Sequence, residues 1–267
     1  MIDVHCHLNF HAFAKDIDSV INHAHTAGVT TIINVGTKIE SSEKAVTLAH
    51  AYEHLYAIVG IHPHHADKHT LSSDWLEQLE KLAQKPKVVG IGEIGMDYYH
   101  YASNGIVDPK LQEAVFLSQI ELAQKVNLPI QIHNRHAGKD VIAILKRNKK
   151  NLKQDMPGMF HCFAGDKKVL HDALDLGFSI GFDGNSTYKG LAPGETVRLD
   201  DLVKATPLER IVTETDSPFL TPEPYRSSRN EPQHVIIVGE HLARLKGISF
   251  AEFDKISTAN AQRLFGL

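Results

Sequence analysis

The sequence opens with Asp-Val-His-Cys-His at residues 3–7, which sets His5 and His7 two positions apart at the end of the first apolar run. A strand turns alternate side chains to the same face, so both imidazoles can grip one metal ion. Further residues able to ligate a metal or carry a proton recur at the ends of later apolar runs: His62 and His64, Glu93 and Asp97, His133 followed by Arg135, His161, and Glu214 with Asp216. Four neutral imidazoles (His5, His7, His133, His161) with the carboxylates Glu93 and Asp216 exceed the tetrahedral need of one catalytic ion, which must also keep a position open for water. Two ions sharing a ligand fit better. Glu93 is the expected bridge, because a carboxylate has two oxygens to offer. His5, His7, Glu93 and Asp216 are thus expected on one ion, and Glu93, His133 and His161 on the other.

Two divalent ions carry more positive charge than two carboxylates cancel, which suits an anionic substrate such as a phosphate ester. Mixed nitrogen and oxygen ligation suits Zn²⁺, Mn²⁺ or Co²⁺, with Zn²⁺ favoured on ligand type; Mg²⁺ prefers oxygen ligands. Such ions lower the pKa of a bound water toward neutrality and neutralise charge on phosphoryl oxygens. Glu93 and Asp216 are the expected catalytic carboxylates, with Asp216 orienting the water and taking its proton. Arg135 shares a face with His133 and is expected to hold a phosphate. His62 and His64 are expected to donate hydrogen bonds to substrate or to support the ligands. Arg226 and Arg229 are candidate contacts for further phosphates, and Tyr98 or Tyr99 a candidate stacking surface.

These residues need a scaffold that gathers strand ends. Eight short β-rich runs, at 2–6, 29–35, 55–61, 87–92, 129–133, 159–162, 177–182 and 210–215, alternate with helical patterns at 15–27, 40–52, 74–84, 109–126, 139–148, 166–176 and 195–205. That alternation predicts an α/β fold, a (β/α)8 TIM barrel with the site at the C-terminal ends of its strands. The segment 231–267 reads as one long helix plus a short terminal pair, and the Pro-, Ser- and Arg-rich stretch 217–232 as a functional loop. No linker interrupts the pattern, so residues 1–267 are expected to form one domain.

The chain has 267 residues, 42% hydrophobic and 22% charged, which is ordinary globular material. Its formal net charge of −4 excludes a broad basic coat, so any nucleic-acid contact is expected to be local to the site. No apolar run reaches transmembrane length, and a cytoplasmic monomer without membrane contact is expected. Cys6 and Cys162, the two cysteines, are read as buried free thiols facing away from the neighbouring histidines. The basic run at 146–150 reads as a solvated helix end.

The motifs carry a resemblance. Asp-Val-His-Cys-His, Gly-Ile-His-Pro-His (60–64), Gly-Glu-Ile-Gly-Met-Asp-Tyr-Tyr (92–99), Ile-His-Asn-Arg (132–135), His-Cys-Phe-Ala-Gly (161–165) and Glu-Thr-Asp-Ser-Pro-Phe-Leu-Thr-Pro (214–222) are similar, in order, to the TatD family of metal-dependent nucleases. Arg-Asn-Glu-Pro (229–232) and Asn-Ala-Gln-Arg-Leu-Phe (260–265) extend the likeness across the chain. The resemblance implies a TIM barrel of the amidohydrolase type, a binuclear site on His5, His7, Glu93, His133, His161 and Asp216, and hydrolysis of DNA phosphodiesters, often from the 3′ end, with RNA also a substrate. His136 and the stretch 181–186 depart from the family pattern and bear on substrate preference. The alternative reading is an amidohydrolase or esterase acting on an amide, lactone or aminoacyl-tRNA ester. Glu93 weighs against it, since many such enzymes bridge their metals with a carboxylated lysine. A third reading is a noncatalytic metal-binding or nucleic-acid-binding protein; the complete ligand set with Asp216 weighs against it.

Overall fold

A computed structural model describes residues 1–67, 72–103, 105–192 and 194–267. Eight strands form one parallel sheet in sequence order: β1 (Ile2–Cys6), β2 (Thr31–Val35), β3 (Leu55–Val59), β4 (Val88–Asp97), β5 (Ile130–Arg135), β6 (Gly158–Phe160), β7 (Ser179–Phe182) and β8 (Ile211–Thr213). The ends meet across β8 and β1. Cys6 bridges to Ser217, Thr213 Oγ1 donates to the Ile2 carbonyl at 3.1 Å, and Thr215 donates to Asp3 from its amide at 2.9 Å and its hydroxyl at 2.6 Å. The result is the expected (β/α)8 barrel.

Helices α1 (Ile17–Thr26), α2 (Ile39–Ala51), α3 (Trp75–Ala83), α4 (Pro109–Val126), α5 (Gly138–Arg147), α6 (Lys167–Asp175) and α7 (Leu199–Ala205) fall between consecutive strands, as the 3.6-residue spacing predicts. Their apolar stripes pack on strands buried from both sides, which explains why the strands read as nearly continuous apolar runs. Local chemistry sets several ends. Asp108 caps α4 by accepting from the Lys110 amide at 2.9 Å, with Pro109 in the first turn, and Asn127 ends the helix in the left-handed conformation at φ 55°.

The C-terminal segment differs from expectation. It forms two helices of comparable length, α8 (Val235–Lys246) and α9 (Phe250–Phe265), divided by Gly247 at φ 69° and restarted by Ser249, whose side chain accepts from the Glu252 amide. Asn260 of α9 donates to the carbonyls of Leu208 and Ile211 at 2.9 and 2.8 Å. Ala261, Leu264 and Phe265 pack with Ile2, Val4, Met159 and Val212, so α9 seals the end of the barrel where the strands start. The functional side chains gather at the opposite end. No helix among the described residues is long and apolar enough to cross a membrane.

Candidate metal and phosphoester site

Glu93 sits at the centre of the strand ends, 4% exposed, with histidines around both of its oxygens. Oε1 faces His133 Nδ1 at 2.5 Å, His62 Nε2 at 3.6 Å and His161 Nε2 at 3.8 Å. Oε2 faces His5 Nε2 at 3.7 Å and His7 Nε2 at 4.0 Å. Asp216 Oδ1 approaches His7, His5 and His161 at 3.4, 3.6 and 4.0 Å. All six residues expected as metal ligands are thereby brought together.

The ring orientations are set from outside. His7 Nδ1 lies 2.9 Å from the Val35 carbonyl, an acceptor, so it carries the proton and leaves the Nε2 lone pair free. His161 Nδ1 lies 3.0 Å from Glu214 Oε2, with the same consequence for its Nε2. His5 Nε2 stands only 3.1 Å from His7 Nε2, and the His5 and His161 rings stack at 3.5 Å. Nitrogen lone pairs and carboxylate oxygens converging in a buried space repel one another unless a cation lies among them, so this donor set fits a divalent metal of borderline softness. Three groups at the strand ends satisfy the geometry of a cation site: His5 with His7 and Asp216; His5 with Glu93 and His161; and His62 with Asp97 and His133; a fourth, His171 with Asp172 and Asp175, lies on the surface of α6.

Charge follows the same layout. Burial disfavours a charged His161, yet Glu214, Glu93 and Asp216 override it and lift the pKa to about 10. His133 is likewise raised against burial, to about 9, by Glu93 and Asp97. Burial lowers His5 well below the ordinary imidazole range, reinforced by His161 and His7. Burial and the neighbouring His133 push His62 down to about 3, so that ring is neutral. Burial works to keep Glu93 protonated, but His62, His133 and His161 outweigh it and hold the carboxyl well below its usual range.

The backbone is turned sharply at two of these positions. Asp216 has φ 54° and Cys162 φ 41°, left-handed conformations uncommon for such residues. Asp216 is held there by its amide bonding to the His5 carbonyl at 2.9 Å and its carbonyl accepting from Phe219 at 2.9 Å. Because β6 ends at Phe160, strand alternation does not continue through Cys162; its thiol lines the cleft, half-buried, and accepts from Asn185 Nδ2 at 3.3 Å. Cys6 is fully buried, as expected.

Five of the candidate ligands, His7, Glu93, His133, His161 and Asp216, line a cleft of about 760 Å³, with His5 buried beneath. His62, His64, Tyr99, Arg135 and Arg226 line it. The Arg135 guanidinium lies 3.7 Å from the centre of the Tyr99 ring, and that of Arg226 lies 3.9 Å from the Tyr188 ring. Neither arginine has a carboxylate partner among the described residues.

Two residues singled out in the sequence lie elsewhere. Tyr98 follows the end of β4 on the side opposite Tyr99, and its hydroxyl donates to Asp140 Oδ2 at 2.6 Å in a separate surface pocket between α4 and α5. Arg229 points back under its loop, bonding Asp16 at 2.7 and 3.0 Å, Glu231 at 2.9 Å and the Ala12 carbonyl at 2.6 Å.

Sequence reasoning gave no role to Glu214 or Asp97, although both stand in the quoted motifs. Asp97 accepts from His133 Nε2 at 3.0 Å and from the Tyr101 hydroxyl at 2.7 Å, and these bonds hold its pKa down to about 2 against the effect of burial. Its spacing of two from Tyr99 and four from Glu93 was the available signal.

Residues 2–266 match the family model described as TatD related DNase. The chain belongs to the TatD family. The "uncharacterized metal-dependent hydrolase YabD" of Bacillus subtilis is 38% identical over 99% of this chain and 98% of its own length. The "3'-5' ssDNA/RNA exonuclease TatD" of Erwinia tasmaniensis is 34% identical over 100% of both chains. The crystal structure of YJJV, a TatD homologue from Escherichia coli K12, superimposes with a TM-score of 0.88 at 29% identity, covering 100% of this chain and 98% of that one. The TatD-family chain is accordingly a metal-dependent hydrolase, and the His, Glu and Asp clusters at its strand ends are its candidate metal sites.

Proposed function

We propose that this TatD-family hydrolase is a 3′–5′ exonuclease of single-stranded DNA, and also of RNA, working with two divalent ions. The observation that carries the reading is the placement of Glu93, whose two oxygens face two separate groups of imidazoles. In this assignment His5, His7 and Asp216 would hold one ion and His133 and His161 the other, with Glu93 shared between them; Zn²⁺ would suit the donors best, with Mn²⁺, Co²⁺ and Mg²⁺ as further occupants. When bound, the ions supply a water nucleophile near neutral pH and neutralise charge on the phosphoryl group.

The chain's own residues do the rest. Asp216 has one carboxylate oxygen toward the histidines and is 15% exposed at its side chain, which suits it to orient water and accept its proton at the cleft floor. His62 Nδ1 accepts from the His64 amide at 2.9 Å, so the neutral ring carries its proton on Nε2, toward the site. That suits His62 to donate a hydrogen bond to a phosphate oxygen. The guanidiniums of Arg135 and Arg226, without a carboxylate partner among the described residues, hold flanking phosphates, and tyrosines orient them, Tyr101 by accepting from Arg135 at 3.2 Å and Tyr188 by lying under Arg226. This local positive lining accords with nucleic-acid binding by a chain of net charge −4. One chain supplies every strand end of the site, which supports action as a monomer.

The test is stripped protein reloaded with Mn²⁺, Zn²⁺ or Mg²⁺ and given 5′-labelled single-stranded DNA and RNA. The expected products shorten one nucleotide at a time from the 3′ end, and Asp216→Ala abolishes them. Intact oligonucleotides under all three metals, alongside turnover of an ester or amide panel, overturn the reading.

A further inference from the structure

We propose that Phe219 is the platform on which the nucleobase next to the scissile phosphate stacks, giving the site a hold on unpaired bases of any sequence. This deepens the nuclease reading and rests on it. Phe219 stands three residues beyond Asp216 and is 51% exposed, a large aromatic ring left open to water in a cleft whose other apolar lining includes Leu191, Leu199 and Leu220, aliphatic side chains with no π-face to offer a base. Its ring centre lies 6.4 Å from that of His7 and 6.2 Å from that of Phe10, which places it beside the candidate metal group of His5, His7 and Asp216.

The other aromatic rings of the cleft are already engaged. Tyr99 carries Arg135 on one face, Tyr188 carries Arg226, Phe10 stacks on His7 at 4.5 Å, and Tyr101 packs against His64 at 4.3 Å. Phe219 meets Phe10 and His7 at steep angles, 74° and 67°, with ring centres more than 6 Å away, so neither is stacked face to face on it.

Its presentation is also rigid. The Phe219 carbonyl accepts from Asn230 Nδ2 at 2.6 Å, and its amide donates to the Asp216 carbonyl at 2.9 Å. Next to it Leu220 is left-handed at φ 52°, and Thr221 bonds both the Ser228 carbonyl at 2.7 Å and the Tyr188 hydroxyl at 2.8 Å. An exposed ring on a loop pinned at both sides needs little ordering on binding, so most of the stacking energy appears as affinity. Every base has a π-face, and a phenyl ring reads none of the base edges. A paired base in a duplex keeps its faces against its neighbours and cannot use the platform without unstacking.

The experiment compares wild type, Phe219→Ala and Phe219→Trp on single-stranded oligonucleotides that are intact, abasic at the 3′-terminal residue, or abasic at the penultimate residue. Phe219→Ala is expected to raise KM on the intact strand by about tenfold or more, with kcat changed less than about threefold. It leaves KM unchanged on whichever abasic strand already lacks the stacked base, and Phe219→Trp restores binding. An equal loss on all three substrates, or no loss on any, overturns the platform. A second readout does not need catalysis: a 2-aminopurine at the same position is expected to be quenched on binding to wild type and not to Phe219→Ala. Quenching without cleavage leaves the platform standing and refutes the nuclease reading; cleavage with identical quenching by both proteins does the reverse.

Discussion

Glu214 accepts a hydrogen bond from His161 Nδ1 at 3.0 Å through one carboxylate oxygen, while the other takes the Cys162 amide at 2.5 Å. Glu214 is fully buried, and this pairing fixes both the ring plane and the tautomer of His161. Without that carboxylate the ring can rotate and its other nitrogen is no longer the obligatory proton carrier. Glu214→Gln is therefore expected to weaken metal binding about ten- to hundredfold, with the thermal transition of the metal-free protein moved little. Metal titration beside a melting curve checks it, and an unchanged affinity sinks the assignment.

Protons and metal compete for the same nitrogens. In the metal-free protein His161 and His133 are raised to about 10 and about 9, above the unfolded value near 6.5. Their charged forms therefore add stability that is complete below pH about 6.5 and is lost as pH rises through 9 to 10. A metal must displace those protons. Binding at pH 7.5 is expected to release about two protons, and apparent affinity to rise from pH 7 to 9. Calorimetry in buffers of different ionisation enthalpy counts them; a count of zero contradicts the ligand roles of both histidines.

The barrel was legible because parallel strands covered on both faces must be apolar throughout, and α2, α4 and β1 declare themselves by such runs and caps. The candidate ligands were legible because strand ends carry chemistry and His-x-His keeps one face. What a linear pattern lacks is the direction of a side chain beyond the strand. Tyr98 and Tyr99 are neighbours with opposite fates because β4 ends between faces, and Cys162 turns into the cleft only because its backbone goes left-handed. Glu214 and Asp97 hid for another reason: a carboxylate that holds a histidine in place looks, in sequence, like one that binds the ion directly.

Close approach of two strands carries a cost if it is disturbed. Gly95 on β4 pairs with His133 on β5, has φ +146°, and a Cβ there would fall 2.0 Å from the His133 carbonyl oxygen. Neither the conformation nor the space admits a methyl group. Gly95→Ala is expected to cost about 3 kcal/mol or more and to displace His133. Urea unfolding of the metal-free protein gives the first number and metal titration the second; a loss below about 1 kcal/mol contradicts the packing.

Arg226 and Arg229 lie three residues apart in one loop, yet their surroundings call for opposite phenotypes. Arg229 is tied to Asp16 by two bonds, to Glu231 and to the Ala12 carbonyl, and its guanidinium lies 4.7 Å from the Phe13 ring centre. It fastens the loop to the region before α1. Its side chain is 30% exposed, so solvent screens part of the ion pairing, and Arg229→Ala is expected to cost only about 1–2 kcal/mol in stability. Activity per folded molecule should stay near wild type. Arg226 has no carboxylate partner among the described residues; it lies over the Tyr188 ring and lines the cleft. Removing a charge held ready for a phosphate leaves the fold alone: Arg226→Ala is expected to raise KM for an oligonucleotide about tenfold and to flatten its salt dependence, since one phosphate contact disappears. Melting curves and KM measured at two salt concentrations separate the pair, and the reverse assignment of phenotypes would mean that the loop binds substrate through its other arginine.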